Sequence, residues 1–352
     1  RLNYSVRKIL FAKYKVGLAD YQPIKTDNLT ADLNSSYNQA LAYKAFSSAA
    51  TLIKNDLGTI PFQSVQEKTA LITLGEGNAS EFKAEIKKYD DVDIIAKEEV
   101  VQNLNQIVQY DRLIISHHQD TSSPWNDYEI STTDKQLIDQ LGNKTSVVLV
   151  NFTSPYALSK LESTLSLNAI LNLYQNHPIA QKVAASIIYG ARQTKGKLPV
   201  SISRAYPENS GLKSENLYRL YDDLPQNAGF SKPKLAKVDS MVKASIKDKQ
   251  MPGVQLLIAK DRKVVYQKNY GYYRYEKERR VTDSTLYDIA SLTKIMATLP
   301  TLMHLYERNA LNFDDTLGDL LSDYKGSNKE NISIKKMLSH YARLQDWIPF
   351  YQ

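Results

Sequence analysis

Five short apolar runs recur between residues 69 and 173: Thr69–Leu74, Val92–Ala96, Arg112–Ser116, Ser146–Val150 and Ala169–Leu173. They are rich in Val, Ile and Leu and lack polar alternation. A strand with one wet face alternates; an unbroken run is what a strand covered on both faces requires. Helical segments lie between them, at Ser80–Lys88, Lys97–Gln109, Thr133–Leu141 and Pro155–Leu161. Strands alternating with helices call for a largely parallel sheet with helices on both faces and right-handed crossovers. The expected fold class is therefore α/β, an α/β/α sandwich. A helix over Ser5–Lys13 carries Val6, Ile9, Leu10 and Ala12 on one side, a polar segment covers Asp20–Ser36, and a long helix is expected over 36–54. After the last strand, a helix begins at Pro178 and is closed by Gly190, a C-terminal glycine in its usual place. Lys197-Leu198-Pro199-Val200 is expected to enter an edge strand, with Pro near its start.

Gly211, Pro225, Asn227 and Gly229 mark residues 209–230 as a linker, within which Leu217–Tyr221 reads as a strand or a docked arm. Beyond it the pattern changes. A helix is expected over Ser231–Lys249, with Leu235, Val238, Met241, Val242 and Ile246 at helical spacing. Val254–Ala259, the turn Lys260–Lys263 and Val264–Gln267 read as a hairpin. Ser291 then stands three residues before Lys294, at the head of an apolar run, Ile295–Arg308, expected to be buried. Residues three apart on a helix share a face, so an amine there reaches the serine hydroxyl and takes its proton. A bare Ser-x-x-Lys is more often an N-cap serine followed by a solvated lysine. What raises this one is the ordered context of helix, hairpin and buried run.

The 352 residues suit about two domains, and 42% hydrophobic with 24% charged residues is an ordinary globular balance. No apolar run reaches the eighteen or so residues of a transmembrane helix. Zero cysteines exclude disulfides, thiol catalysis and thiolate metal sites. The net charge of +7 is spread along the chain, with short clusters at 276–280 and at Lys335-Lys336. No basic stripe interleaves with aromatics, which argues against a nucleic-acid partner. Gly75-Glu76-Gly77 reads as a turn, because Ser80 breaks the G-x-G-x-x-G phosphate pattern. His117-His118 reads as a strand-end loop, without the further ligands a metal needs. No cofactor is expected, and the 24 tyrosines read as half-buried packing. Both ends, at Arg1 and at Tyr351-Gln352, read as cuts in a longer polypeptide.

Residues from about 232 onward resemble the first half of a serine β-lactamase-like domain, of the group holding class C β-lactamases, penicillin-binding proteins and related esterases. The segments that carry this are MPGVQLLIAKDRKVVYQKNYGYYRYE (251–276), TDSTLYDIASLTK (282–294), LYERNALNFDDTLGDLL (305–321) and ISIKKMLSHYARLQDW (332–347). The resemblance implies an incomplete α+β segment with Ser291 as nucleophile and Lys294 as base, the latter kept partly neutral by desolvation and nearby dipoles. The family's Tyr-x-Asn and Lys-Thr-Gly-like motifs do not occur between Lys294 and Gln352. Where the family has HTSGL, this chain has His340-Tyr341-Ala342-Arg343-Leu344. That departure argues against β-lactam hydrolysis and leaves His340 a loop or helix-end residue.

A second resemblance covers SVRKILFAKYKVGL (5–18), ALAYKAFSSAATLIKNDLGTIPF (40–62) and IAQKVAASIIYGARQTKGKLPVSI (179–202). These are similar to the linker and second, α/β-sandwich domain of family-3 glycoside hydrolases. The resemblance implies that the aspartate nucleophile sits on a preceding barrel. Glu76 and Glu129 are the nominees for an acid/base from this domain, and neither is assigned. Retaining hydrolysis needs two carboxylates about 5–5.5 Å apart, of which these residues supply at most one. Together the resemblances imply domains at 1–208 and 231–352 joined by 209–230. They imply a piece of a cell-wall-active fusion in which a β-N-acetylglucosaminidase-like glycosidase is joined to a serine acyl hydrolase. The substrates would be glycan or peptidoglycan-derived, the compartment the periplasm or cell envelope, and this piece alone inactive. Alternatives are a non-catalytic carbohydrate-binding scaffold, or a glycosidase with a degenerate appendage. The oligomeric state is not legible.

Overall fold

The structure, a computed structural model, describes residues 1–23, 25–120, 125, 128–161, 164–345 and 347–349. The expected cut at Tyr351-Gln352 lies outside the described residues. The chain divides into two compact units, Arg1–Asp283 and Ser284–Gln352.

The first unit opens with α1 (Leu2–Lys15), which buries none of its residues, and α2 (Leu29–Leu33). Next come α3 (Ser36–Ala49) and β1 (Thr51–Asn55). The long helix expected over 36–54 thus ends early. Thr51, Leu52 and Ile53 are bulky, mostly β-branched side chains that pack better on a pleated face, and they close a sheet edge antiparallel to β6. The alternating core follows in chain order: β2 (Thr69–Leu74), α4 (Ser80–Ile86), β3 (Asp93–Ile95), α5 (Lys97–Gln102), β4 (Arg112–His118), α6 (Thr132–Gly142), β5 (Ser146–Phe152), β6 (Ala169–Asn172) and α7 (Pro178–Ile188). The expected helices over 97–109 and 155–161 are tighter than drawn. The first breaks at Asn103 into a 3₁₀ turn, and the second is a 3₁₀ turn capped by the Ser154 hydroxyl.

The sheet order is β1-β6-β5-β4-β2-β3, parallel throughout except β1. Leu71, Ile114, Val148 and Leu171 pack on one face with Phe82, Ile86 and Ile188; Ile72, Ile115, Leu149 and Ile170 pack on the other with Leu137 and Leu141. Period-2 geometry sends neighbouring residues to opposite faces, so a sheet covered twice needs apolar residues at both. Arg112 is a buried charged exception. Its buried guanidinium donates to Glu67 (2.7 Å), Asp90 (3.1 Å), the Thr69 hydroxyl (2.8 Å) and the Ser64 carbonyl (2.8 Å).

Lys197–Val200 forms no strand, contrary to expectation. Leu198 exchanges backbone bonds with Ser210 and Asn209 (both 2.8 Å), and Pro199 has no N–H to extend the ladder. The segment after it is a docked arm. Leu217 N–H donates to the Gly190 carbonyl (2.8 Å), and Arg219 donates to the Tyr189 (3.1 Å) and Gln63 (2.9 Å) carbonyls. The arm continues as β7 (Tyr221–Asp222). Then come α8 (Lys232–Lys247), β8 (Gly253–Lys260) and β9 (Lys263–Gly271), in a second sheet of order β7-β9-β8. The hairpin loop is Asp261-Arg262, with φ of 51° and 66°. Two left-handed loop residues match the twist of the flanking strands. Because β7 comes from the expected linker and pairs with β9, the compact unit runs past 209–230 and breaks only after Asp283.

The second unit contains α9 (Leu299–Glu307), α10 (Leu317–Leu320) and α11 (Ile334–Leu338). Thr316 and Asp319 form a reciprocal capping box at α10. The expected burial of 295–308 is overturned: Ile295 is 59%, Met296 65% and Met303 54% exposed. Among the described residues this unit has no sheet, only one isolated bridge between Thr316 and Ser333. Its own residues therefore offer the apolar run no layer to lie against. No helix among the described residues is long and apolar enough to cross a membrane.

Arg192 fastens the arm: it donates to Asp223 (2.9 Å) and the Ser47 hydroxyl (3.0 Å) and lies 4.0 Å over the Tyr221 ring. The Asp223 side chain is only 3% exposed. Arg192→Ala removes the charge partner of that carboxylate, leaving it the Leu224 N–H (2.7 Å) and Asn227 Nδ2 (2.6 Å) as donors, and should cost about 3 kcal/mol in chemical denaturation. A loss under about 1 kcal/mol, the scale of an exposed pair, would show the clamp to be solvent-screened.

Candidate functional site

Ser291 and Lys294 meet. The Lys294 ammonium donates to Ser291 Oγ at 3.0 Å. The backbone that brings them together is not the plain helix expected. Ala290–Leu292 is a 3₁₀ turn and Lys294–Thr298 a π-helical turn, which leads into α9. Ala290 has φ 43°, a left-handed conformation that costs a non-glycine residue about 1–2 kcal/mol. Its N–H donates to Asp288 Oδ1 at 2.7 Å. Local distortions thus flank the pair on both sides, and π turns concentrate at functional sites. Both side chains are exposed. The burial expected around this lysine is not supplied by the described residues. Asp288 was not among the residues singled out from sequence, although an Asp two positions before a turn amide is the signal for this cap. His340 sits past α11 in a left-handed conformation (φ 56°), exposed, at the helix end.

The second set of candidates lies at the carboxyl edge of the parallel sheet. His117 and His118 are the last residues of β4, fully buried rather than in a loop. Their neighbours on β5 and β6 are also polar. His117 Nδ1 is 3.0 Å from Asn151 Oδ1, and Asn151 Nδ2 donates to Asn172 Oδ1 at 2.7 Å. His118 Nδ1 is 2.9 Å from Asn176 Oδ1, which also accepts from Gln181 Nε2 at 2.7 Å. The His118 ring stacks on Phe152 at 4.5 Å. Burial pushes the His118 imidazole down to about 4, with smaller pushes from His117 and Lys83. No group of three or more potential metal ligands occurs among the described residues.

Gly75 and Gly77 serve packing. A Cβ on Gly75, at φ 80°, would lie 2.1 Å from the His118 carbonyl oxygen, and Gly77 N–H donates to that same oxygen at 3.0 Å. Beside this turn lies a polar cleft of about 1000 Å³, lined by Glu76, Lys83, Lys97, Gln119 and Asp134 among others. Glu76 is exposed in it; Glu129 does not line it.

Residues 238–352 match the Beta-lactamase family. A stretch of the chain is 33% identical over 126 residues to a protein of Escherichia coli O157:H7 that is assigned by name to the D-alanyl-D-alanine carboxypeptidases. That match covers 34% of this chain and 29% of the relative. A beta-lactamase of Providencia stuartii is 31% identical over 115 residues, covering 32% of this chain and 29% of the relative. The chain therefore spans under a third of the length of these curated relatives. Among solved structures, it is similar to a beta-glucoside phosphorylase, with 20% identity and a TM-score of 0.45 over 58% of this chain and 39% of that one. It is also similar to a glycoside hydrolase family 3 beta-N-acetylglucosaminidase from Paenibacillus, with 16% identity and a TM-score of 0.41 over 57% of this chain and 39% of that one.

Burial of His118 sets a pH dependence. The folded-state value lies below the unfolded 6.5, so its neutral form contributes fully above pH 6.5, and stability falls as pH drops from 6.5 toward 4. Denaturation from pH 7 to 4.5 should show a decline that flattens in His118→Asn. The difference approaches roughly 3 kcal/mol at full development; parallel pH curves for the two proteins would refute it.

Proposed function

We propose that residues 231–352 begin a serine acyl-hydrolase domain in which Ser291 is the nucleophile and Lys294 the base. The observation that supports this most is the 3.0 Å Nζ–Oγ contact, placed within a segment that matches the Beta-lactamase family. In the forward step Ser291 Oγ bonds to the substrate carbonyl carbon while its proton passes to Lys294 Nζ. The carbonyl–leaving-group bond breaks, and the departing amine or alkoxide takes that proton. Water then attacks the acyl-enzyme, returning the proton to Ser291 and releasing the acid. A lysine acts this way only in its neutral form, so the residues that dry the pair belong to the functioning site as much as the pair does.

We further propose that residues 1–208 are the second domain of a β-N-acetylglucosaminidase-type glycosidase. This rests on the ordered sequence matches at 5–18, 40–62 and 179–202 and on a largely parallel α/β sheet between them. Residues 209–230 join the two functional regions, and the arm they form docks on the first. An aminosugar linkage and a peptide amide or ester occur together in peptidoglycan, which makes its fragments the fitting substrate and the cell envelope the fitting compartment. A scaffold reading is favoured by one observation, the exposure of both Ser291 and Lys294.

The test uses the full-length protein with a fluorophosphonate and a labelled penicillin. Covalent labelling should occur and vanish in Ser291→Ala. Lys294→Ala should slow it by about 10²-fold or more, the usual scale for losing a positioned base. Absence of labelling by either reagent would replace the enzyme with the scaffold. Release of chromophore from an N-acetylglucosaminide reads the glycosidase half separately. The 352-residue chain by itself should do neither, and turnover by it would overturn that part of the proposal.

A further inference from the structure

We infer that Asp288 is a positioning residue for Ser291. This rests on the reading of Ser291 as nucleophile and names the side chain that aims it. Ala290, the residue immediately before the serine, holds φ 43°. In that conformation an alanine Cβ crowds the neighbouring carbonyl, so an unsupported alanine relaxes to the right-handed side. The relaxation would rotate the next Cα–Cβ bond and carry Ser291 Oγ away from Lys294 Nζ, now 3.0 Å distant. The Asp288 carboxylate opposes it by accepting the Ala290 N–H at 2.7 Å. Aspartate suits the task because its short side chain reaches the amide two residues on, and an ionised acceptor makes the stronger bond. Asp288 thus acts through Ala290 and touches neither Oγ nor Nζ.

Three variants of the full-length protein separate this from a general structural role: Asp288→Ala, Asp288→Asn and Asp288→Ala with Ala290→Gly. Each is compared with the unsubstituted protein at equal folded fraction, by the rate of fluorophosphonate labelling. Asp288→Ala should slow labelling about 10- to 100-fold, the scale of an ångström-sized misplacement. Asp288→Asn keeps the acceptor oxygen and should stay within about threefold, with an unmoved pH midpoint. Adding Ala290→Gly to Asp288→Ala should restore most of the rate, because glycine takes the left-handed conformation without a Cβ penalty. A rate for Asp288→Ala within about twofold of the unsubstituted protein, or no rescue by glycine, would overturn the inference. A second measurement stands apart from chemistry. Exchange of the Ala290 amide, followed with isotope-labelled alanine, should be slow and should accelerate in Asp288→Ala; equal exchange overturns the inference. If the unsubstituted protein is never labelled, the catalytic reading of Ser291 falls, and amide exchange still decides whether Asp288 holds Ala290.

Discussion

Strands β2, β4, β5 and β6 are buried on both faces, and the architecture of the first unit follows from that demand. Covering both faces of a sheet is met by parallel strands, which cannot be joined by a tight hairpin. The chain leaves across a face through a helix and returns parallel. The order β3-β2-β4-β5-β6 is then a series of such crossovers, with β1 added antiparallel at the edge. The same demand accounts for the polar residues at the carboxyl edge. Where the covering layers end, side chains still lie in the interior, and His117 pairs with Asn151, Asn151 with Asn172, and His118 with Asn176. Gly75 belongs to this edge because the turn after β2 must approach the end of β4 closely enough to exclude any Cβ.

The second unit is organised differently. Its short helices are set by local chemistry, such as the capping box at Thr316 and Asp319 and the cap of Asp288 on Ala290. The Ser291–Lys294 contact is a product of that local chemistry, reached through a 3₁₀ turn and a π turn rather than through burial. Apolar side chains at Ile295, Met296 and Met303 remain exposed beside it. Positioning and activation are therefore separate requirements at this site. Three residues of spacing bring an amine to a hydroxyl, whereas a shift of that amine toward its neutral form depends on removing water around it.

Much of the first unit was legible because strand length, branching and punctuation agree with one another. Thr69–Leu74 reads as a strand and is one, and the Asp261-Arg262 loop falls where the hairpin turn was expected. Legibility failed where two patterns overlap. Residues 36–54 carry helical spacing that continues into a β-branched stretch, and only pairing with β6 ends the helix at Ala49. Lys197–Val200 looks like a strand entry, but Pro199 withholds the N–H that a ladder would use. His117-His118 looks like a loop because histidine is polar. Its burial depends on amide partners more than thirty residues away in sequence, which no local pattern displays.

Spacing by itself determined that Ser291 and Lys294 are near neighbours, and apolar runs by themselves determined a parallel α/β sheet. Both follow from distances along a chain whose local geometry is nearly fixed. Tertiary structure alone decided that β1 joins the sheet, that the arm from Leu217 to Tyr221 docks through its own Arg219 and beneath Arg192, and that the histidines are dry while the serine–lysine pair is wet. Burial is set by what packs over a residue from elsewhere in the chain, and sequence separation carries no record of that distance.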